Sequence, residues 1–355
     1  MHDTQSGTAA PGARWAAPDR VAVVVNGNAK GVTDDLVQIL DQIVQSGDLL
    51  VSRSLEEGRE IARMIVERGY PTVITGGGDG TFTQMVTFVV KEADRQGRPV
   101  PRFGLLRLGT GNALAWVLGA RAERGKGALA DLARVRTEGS RELRLLDVEG
   151  TLSPFAGLGI DATALTHFRE MKGAFERAPV LHRFATGGVA YVTSIVGRTM
   201  PEYLFRPHPR VRIVNEGGEA LRLGVDGQPV GRPGEAGEVI FEGPSRMVAM
   251  STIPYWGFGA RIFPFANDRD DKFSLRIADI SPLDVALHIR GLWKGTYRSD
   301  KVHDFLVDRI RIEYESPMPL QIGGDPVGRR TTVEAALSHR PIRVVDYYAP
   351  PPVEQ

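Results

Sequence analysis

The sequence predicts an α/β domain built on a parallel sheet, followed by a second, all-β sandwich-like domain. Three observations carry this. The first third alternates apolar, β-branched runs with helically spaced segments. Its strand runs end in glycine turns, and such alternation implies a parallel sheet with helices on its faces. From about Arg141 short β-type runs separated by Gly and Pro take over. A chain of 355 residues also exceeds the usual size of one core.

Taken in order, Val21–Val25 reads as a buried parallel strand and Asn26–Gly31 punctuates it. Leu36, Ile39, Leu40, Ile43 and Val44 fall on one helix face. Leu49–Val51 is a short strand, and Ser54 with Glu57 forms a capping-box pattern opening the next helix. Thr72–Thr75 and Phe103–Leu108 are further strands, each running into glycines. Strands of the second domain are expected at Phe155–Ile160, Val211–Val214, Leu221–Val225, Val239–Phe241, Met247–Thr252, Phe273–Ile277 and Ile310–Tyr314. Helical interruptions are expected near Ala162–Met200 and Leu283–Trp293. The expected boundaries are 20–139 for the α/β domain and 140–339 for the β domain, with 340–348 packing back on the first. Residues 1–19 and 349–355 read as loose tails. The first of these lacks the apolar core of a signal peptide.

Composition narrows the chemistry. Forty-four Lys and Arg against 43 Asp and Glu leave a net charge of +1, so no bulk field favours nucleic acid. The absence of cysteine excludes disulfides, thiolate metal sites and cysteine nucleophiles. No run of 18 apolar residues spans a bilayer. A cytoplasmic chain that meets any lipid at the membrane surface is the corresponding expectation.

Two glycine-rich loops carry the chemistry. Thr75-Gly76-Gly77-Gly78-Asp79-Gly80-Thr81 follows a strand and precedes an apolar helix. Glycines there let backbone N–H groups approach phosphate oxygens, and the helix N-terminus adds unpaired donors. Asp79 would repel bare phosphate, so it suits Mg²⁺ or acceptor positioning. A tight turn with Asp79 as a helix cap is the alternative. Leu108-Gly109-Thr110-Gly111-Asn112 repeats the pattern after the next strand, and two such loops point to one crevice. Asn26-Gly27-Asn28-Ala29-Lys30-Gly31 follows the first strand and is not a Walker loop.

In order and spacing these loops resemble the diacylglycerol kinase catalytic-domain family of lipid kinases, distantly similar to NAD kinases. The resemblance runs from about Arg20 to Tyr347. It implies ATP and Mg²⁺ as cofactors, and a nucleotide held by Asn26, Gly27, Asn28, Ala29 and Lys30, by Ser52, by Gly77, Gly78, Asp79, Gly80, Thr81, Phe82 and Thr83, and by Thr110, Gly111 and Asn112. It also implies a catalytic carboxylate at Asp325, in Gly323-Gly324-Asp325-Pro326, acting as general base on the acceptor hydroxyl. By residue type alone that stretch reads as a surface turn. A second Mg²⁺ site is implied at Asp268, Asp271 and Phe273, where the acidic cluster alone reads as solvated surface.

The sequence departs from the family at several points. Gly27 stands where the family has Pro, Ala113 where it has Asp, Trp116 where it has Arg, and Gly323 where it has Asp; Asp325 is one methylene shorter than the family's Glu. The expected activity is transfer of the γ-phosphate of ATP to a hydroxyl of diacylglycerol or a related lipid, a sphingoid base included. The alternatives are an NAD kinase and a non-catalytic nucleotide sensor. The expected partner is a lipid at the membrane surface; a homodimer is left open.

Overall fold

The computed structural model describes residues 20–29, 32–44, 48–109, 111–121, 126–135, 139–176, 195–205, 208–266 and 268–348. The two expected tails lie outside these, as does much of the helical interruption that precedes Met200.

The first sheet has strand order β2-β1-β3-β4-β17-β5 among the described residues. These strands are β1 (Val21–Asn26), β2 (Leu49–Ser52), β3 (Thr72–Gly77), β4 (Arg102–Arg107), β5 (Gly139–Leu143) and β17 (Ile342–Asp346). The first four pair in parallel, and only β5 runs antiparallel, at the edge. Helices α1 (Asp34–Ile43), α2 (Leu55–Arg68), α3 (Asp79–Gln96), α4 (Ala113–Leu118) and α5 (Lys126–Arg134) belong to this domain. Local chemistry sets their ends. Thr33 Oγ accepts the Leu36 N–H at 3.2 Å to start α1, and Ser54 Oγ accepts from Glu57 at 3.1 Å to start α2. The Glu57 carboxylate reaches one residue past the expected capping box, taking the N–H of Arg53 at 2.6 Å. Gly69, at φ 67°, ends α2 in the left-handed region that favours glycine.

The second sheet runs β10-β14-β13-β12-β8-β15-β16-β6-β7 among the described residues, with β9 and β11 pairing off this path; β6 is Leu146–Val148, β7 Thr151–Ser153, β9 Arg210–Asn215, β10 Leu221–Leu223 and β11 Val239–Pro244. Its central strands are β8 (Phe155–Gly159), β12 (Met247–Ser251), β13 (Phe273–Ala278), β14 (Val302–Val307), β15 (Arg309–Ile322) and β16 (Asp325–Leu337). Helix α6 (Ile160–Glu176) follows β8 directly, α7 (Met200–Phe205) follows later, and a pair, α8 (Pro282–Leu287) and α9 (Ile289–Lys294), interrupts the strands. The predicted fold class is therefore present: a parallel α/β sheet and a β-rich second domain.

Several strands exceed the prediction, for physical reasons. In β14 the apolar pattern is broken by Asp304, which is buried because Arg276 of β13 grips both its oxygens at 2.7 and 2.8 Å. In β16 only Val333 and Ala335 are buried apolar residues, so no period-2 signal exists to read.

The hairpin of β15 and β16 is the longest among the described residues, and its tip does the positioning. Gly323 and Gly324 turn it at φ 59° and 86°, values a side chain would strain. The tip is tied down by the Gly323 N–H on the Phe155 carbonyl at 2.9 Å and by the Gly324 N–H on Gln321 Oε1 at 2.8 Å. Asp325 is thereby held as the first residue of β16.

Candidate active site

The turn from β3 into α3 is built by contacts that exclude side chains. A Cβ on Gly77 would collide with Thr81, and one on Gly109 with the Gly78 backbone. The two glycine loops therefore touch, backbone to backbone. Asn112, in the left-handed region at φ 48°, closes the second loop by donating to the Gly109 carbonyl at 2.7 Å.

Asp79 joins the loops. It is buried at the start of α3, yet its carboxylate reaches across to accept the N–H groups of Ala113 at 2.8 Å and Leu114 at 3.0 Å. It caps α4, the helix opened by the other loop. Burial raises its pKa, while those two backbone donors pull the other way.

A cavity of about 500 Å³ opens beside this junction. Gly78, Asp79, Gly80, Thr81 and Gly111 form one wall, and Asp325 with Gly323 and Gly324 forms part of another. The rest is mostly apolar, including Leu165 and Phe168 of α6, Ile262, and Val285, Ile289 and Leu292 of the paired helices. Asp325 sits directly on Gly80, where a Cβ would lie 2.5 Å from Oδ2. Gln84, one turn further along α3, donates to Asp325 Oδ2 at 2.9 Å, and Arg169 of α6 pairs with Oδ1. The short aspartate thus reaches the glycine loop.

Asp161, the second residue of α6, also lines the cavity. One oxygen accepts from Gln321 Nε2 at 3.2 Å; the other has no hydrogen-bond partner among the described residues. Burial pushes its pKa up to about 6.

A smaller cavity of about 210 Å³ adjoins the first. Asn26, Asn28, Ser52, Arg53, Thr81 and Phe88 are among its lining residues. Asn26 donates to Thr81 Oγ1 at 3.1 Å, Asn28 to the Arg53 carbonyl at 2.8 Å, and the Gly27 N–H to the Ser52 carbonyl at 2.9 Å. The first strand end, the second strand end and the glycine loop meet here.

Residues 20–145 match the family model of the diacylglycerol kinase catalytic domain. Over that stretch the chain is similar to the diacylglycerol kinase catalytic domain. Two curated relatives match part of the chain. One, named "Probable lipid kinase YegS-like" from Pseudomonas aeruginosa, is 32% identical over 103 residues, which is 28% of this chain and 32% of the relative. Another of the same name from Enterobacter sp. strain 638 is 31% identical over 125 residues, 32% of this chain and 40% of the relative. The matches thus span 32% and 40% of the relatives' length. A solved diacylglycerol kinase structure from Bacillus anthracis superposes with a TM-score of 0.59 at 12% identity, covering 92% of this chain and 97% of that one. At that identity the likeness speaks for the fold.

Most expected site residues converge, but not all. Phe82 is fully buried in the core, edge-on to Phe103 at 6.2 Å, and Thr83 faces Ser153. Lys30 and Thr110 lie outside the described residues. Asp271 is exposed and gripped by Arg269 at 2.9 and 3.0 Å, and Phe273 is buried in β13. Among the described residues no three His, Asp or Glu gather as a metal site.

Gln84, Asp161, Arg169 and Gln321 were missed by sequence reasoning. Asp161 had a readable signal: Gly157-Leu158-Gly159-Ile160-Asp161 is a third glycine-rich strand end opening a helix. Gln84 lies one helical turn from Gly80 on the same face. Arg169 had none, because its partner is 156 residues away.

Proposed function

We propose that the protein is an ATP-dependent lipid kinase that phosphorylates a hydroxyl group in the larger cavity. One observation carries the reading: a carboxylate of the β domain, Asp325, rests on the glycine loop of the α/β domain at the mouth of an apolar chamber. Phosphoryl transfer requires positioning and charge neutralisation more than covalent chemistry. The smaller cavity would take the nucleoside, and the Gly77–Thr81 loop its phosphates. The acceptor enters with its chain against Leu165, Phe168 and Ile289 and its hydroxyl toward Asp325.

In the transfer, Asp325 takes the hydroxyl proton as the oxygen bonds to the γ-phosphorus and the bond to the bridging β–γ oxygen breaks, releasing ADP. Arg169 and Gln84 aim the carboxylate. The oxygen donors at hand suit a hard cation carried by the nucleotide. Asp161, with its unpartnered buried oxygen, and Asp79 would hold it, directly or through water, and the cation would neutralise charge on the transferred phosphoryl group. Ala113 offers no carboxylate; its backbone N–H donates to Asp79.

The apolar lining favours a lipid over NAD, a large polyanion that needs polar contacts along its length. The test is purified protein with γ-labelled ATP and mixed micelles of diacylglycerol or a sphingoid base, with NAD in parallel. Labelled lipid without NADP is expected. NADP formed faster than any lipid product would refute the reading, and silence with every acceptor would favour a nucleotide sensor.

A further inference from the structure

The paired helices α8 and α9 present apolar side chains in two directions. Val285, Ile289, Leu292 and Trp293 line the large cavity. On the outer side Leu283 is 63% exposed, Leu287 70%, Ile289 50% and Trp293 42%. Large exposed apolar side chains are ordinary when scattered, but four within 11 residues at a cavity rim are not. The same segment, Ser281 to Gly295, carries exposed Arg290 and Lys294 against a single acid, Asp284. That carboxylate is already committed to the capping box with Ser281.

We propose that α8 and α9 are the surface on which the protein docks to an anionic phospholipid bilayer. Leu283, Leu287 and Ile289 would enter the headgroup–acyl boundary. Trp293 would sit at the headgroup level, and Arg290 and Lys294 would meet lipid phosphates. Ile289 and Trp293 belong to both the exposed face and the cavity lining, so the membrane and the chamber become continuous. Among the described residues no helix is long and apolar enough to cross a membrane. Shallow insertion of a short amphipathic pair would give reversible contact in its place. The purpose of the surface rests on the lipid-kinase reading, but its occupancy does not.

The experiment is flotation of the full chain with phosphatidylcholine vesicles, with and without phosphatidylglycerol, for the wild type and Leu283→Glu/Leu287→Glu. Neither leucine lines the cavity. The wild type should float with the anionic vesicles and largely lose that binding in high salt. The double variant should bind at least about tenfold more weakly, with an unchanged melting temperature. The chain has no cysteine, so Leu287→Cys places a polarity-sensitive dye at one position alone, and its emission should shift to the blue on anionic vesicles. Transfer to a short-chain diacylglycerol dissolved as monomers should be equal in wild type and double variant. If no lipid is ever phosphorylated, the kinase reading fails while the vesicle result stands. Equal flotation of wild type and variant would overturn the docking proposal. So would a wild type that ignores vesicles and self-associates through Leu287 instead.

Discussion

Asp161 is buried with an oxygen that nothing among the described residues satisfies. Burial raises its pKa from 3.8 to about 6. A group whose folded pKa exceeds its unfolded value contributes stability below the unfolded pKa and loses it as pH rises through the folded one. Wild-type stability should therefore fall between about pH 4 and pH 6. Asp161→Asn stays neutral and escapes that loss. Without nucleotide it should match the wild type near pH 4 and exceed it by up to about 3 kcal/mol at pH 7. Urea unfolding at both pH values checks this, and a gap independent of pH would contradict it. Asp79 is buried as well, and its two oxygens accept backbone N–H groups of the second loop. Nothing in the local sequence says that its partners lie 34 and 35 residues away.

The loops between elements behave as coupled pairs, because β3 and β4 are parallel neighbours whose carboxyl ends lie side by side. Gly109 lies so close to Gly78 that any side chain must push the loops apart. Gly109→Ala should lower stability by roughly 1–3 kcal/mol and weaken ATP binding at the same time. Differential scanning calorimetry with an ATP titration measures both, and a variant with wild-type values in each would show that the loops are independent. The strand ends were legible because apolar β-branched runs stop at glycine. The strands of the second domain were legible only where one face alternates. A buried ion pair between Arg276 and Asp304 hid β14, and a solvent-facing, arginine-bearing strand hid β16.

Across the whole molecule, the site exists only because distant parts meet. Gln84 and Asp325 are 241 residues apart, Arg169 and Asp325 156. The glycine loops could be read locally, since backbone geometry restricts residue type there. The position of Asp325 could be reached only through resemblance, since a Gly-Asp-Pro turn is an ordinary surface feature until a hairpin carries it onto Gly80. The same long-range packing ties the two sheets together: β17 returns from beyond the second domain to lie between β4 and β5, and Arg340 pairs with Asp94 of α3. The central claim is that a β-domain carboxylate takes the proton from a hydroxyl presented to the phosphate loop. It is tested most directly by Asp325→Asn, which keeps the size and shape of the side chain. ATP affinity and the rate of label transfer to lipid are measured on the same preparation. The account predicts ATP binding within about twofold of wild type and transfer slowed roughly 10²–10⁴-fold. Transfer at the wild-type rate in Asp325→Asn would contradict it.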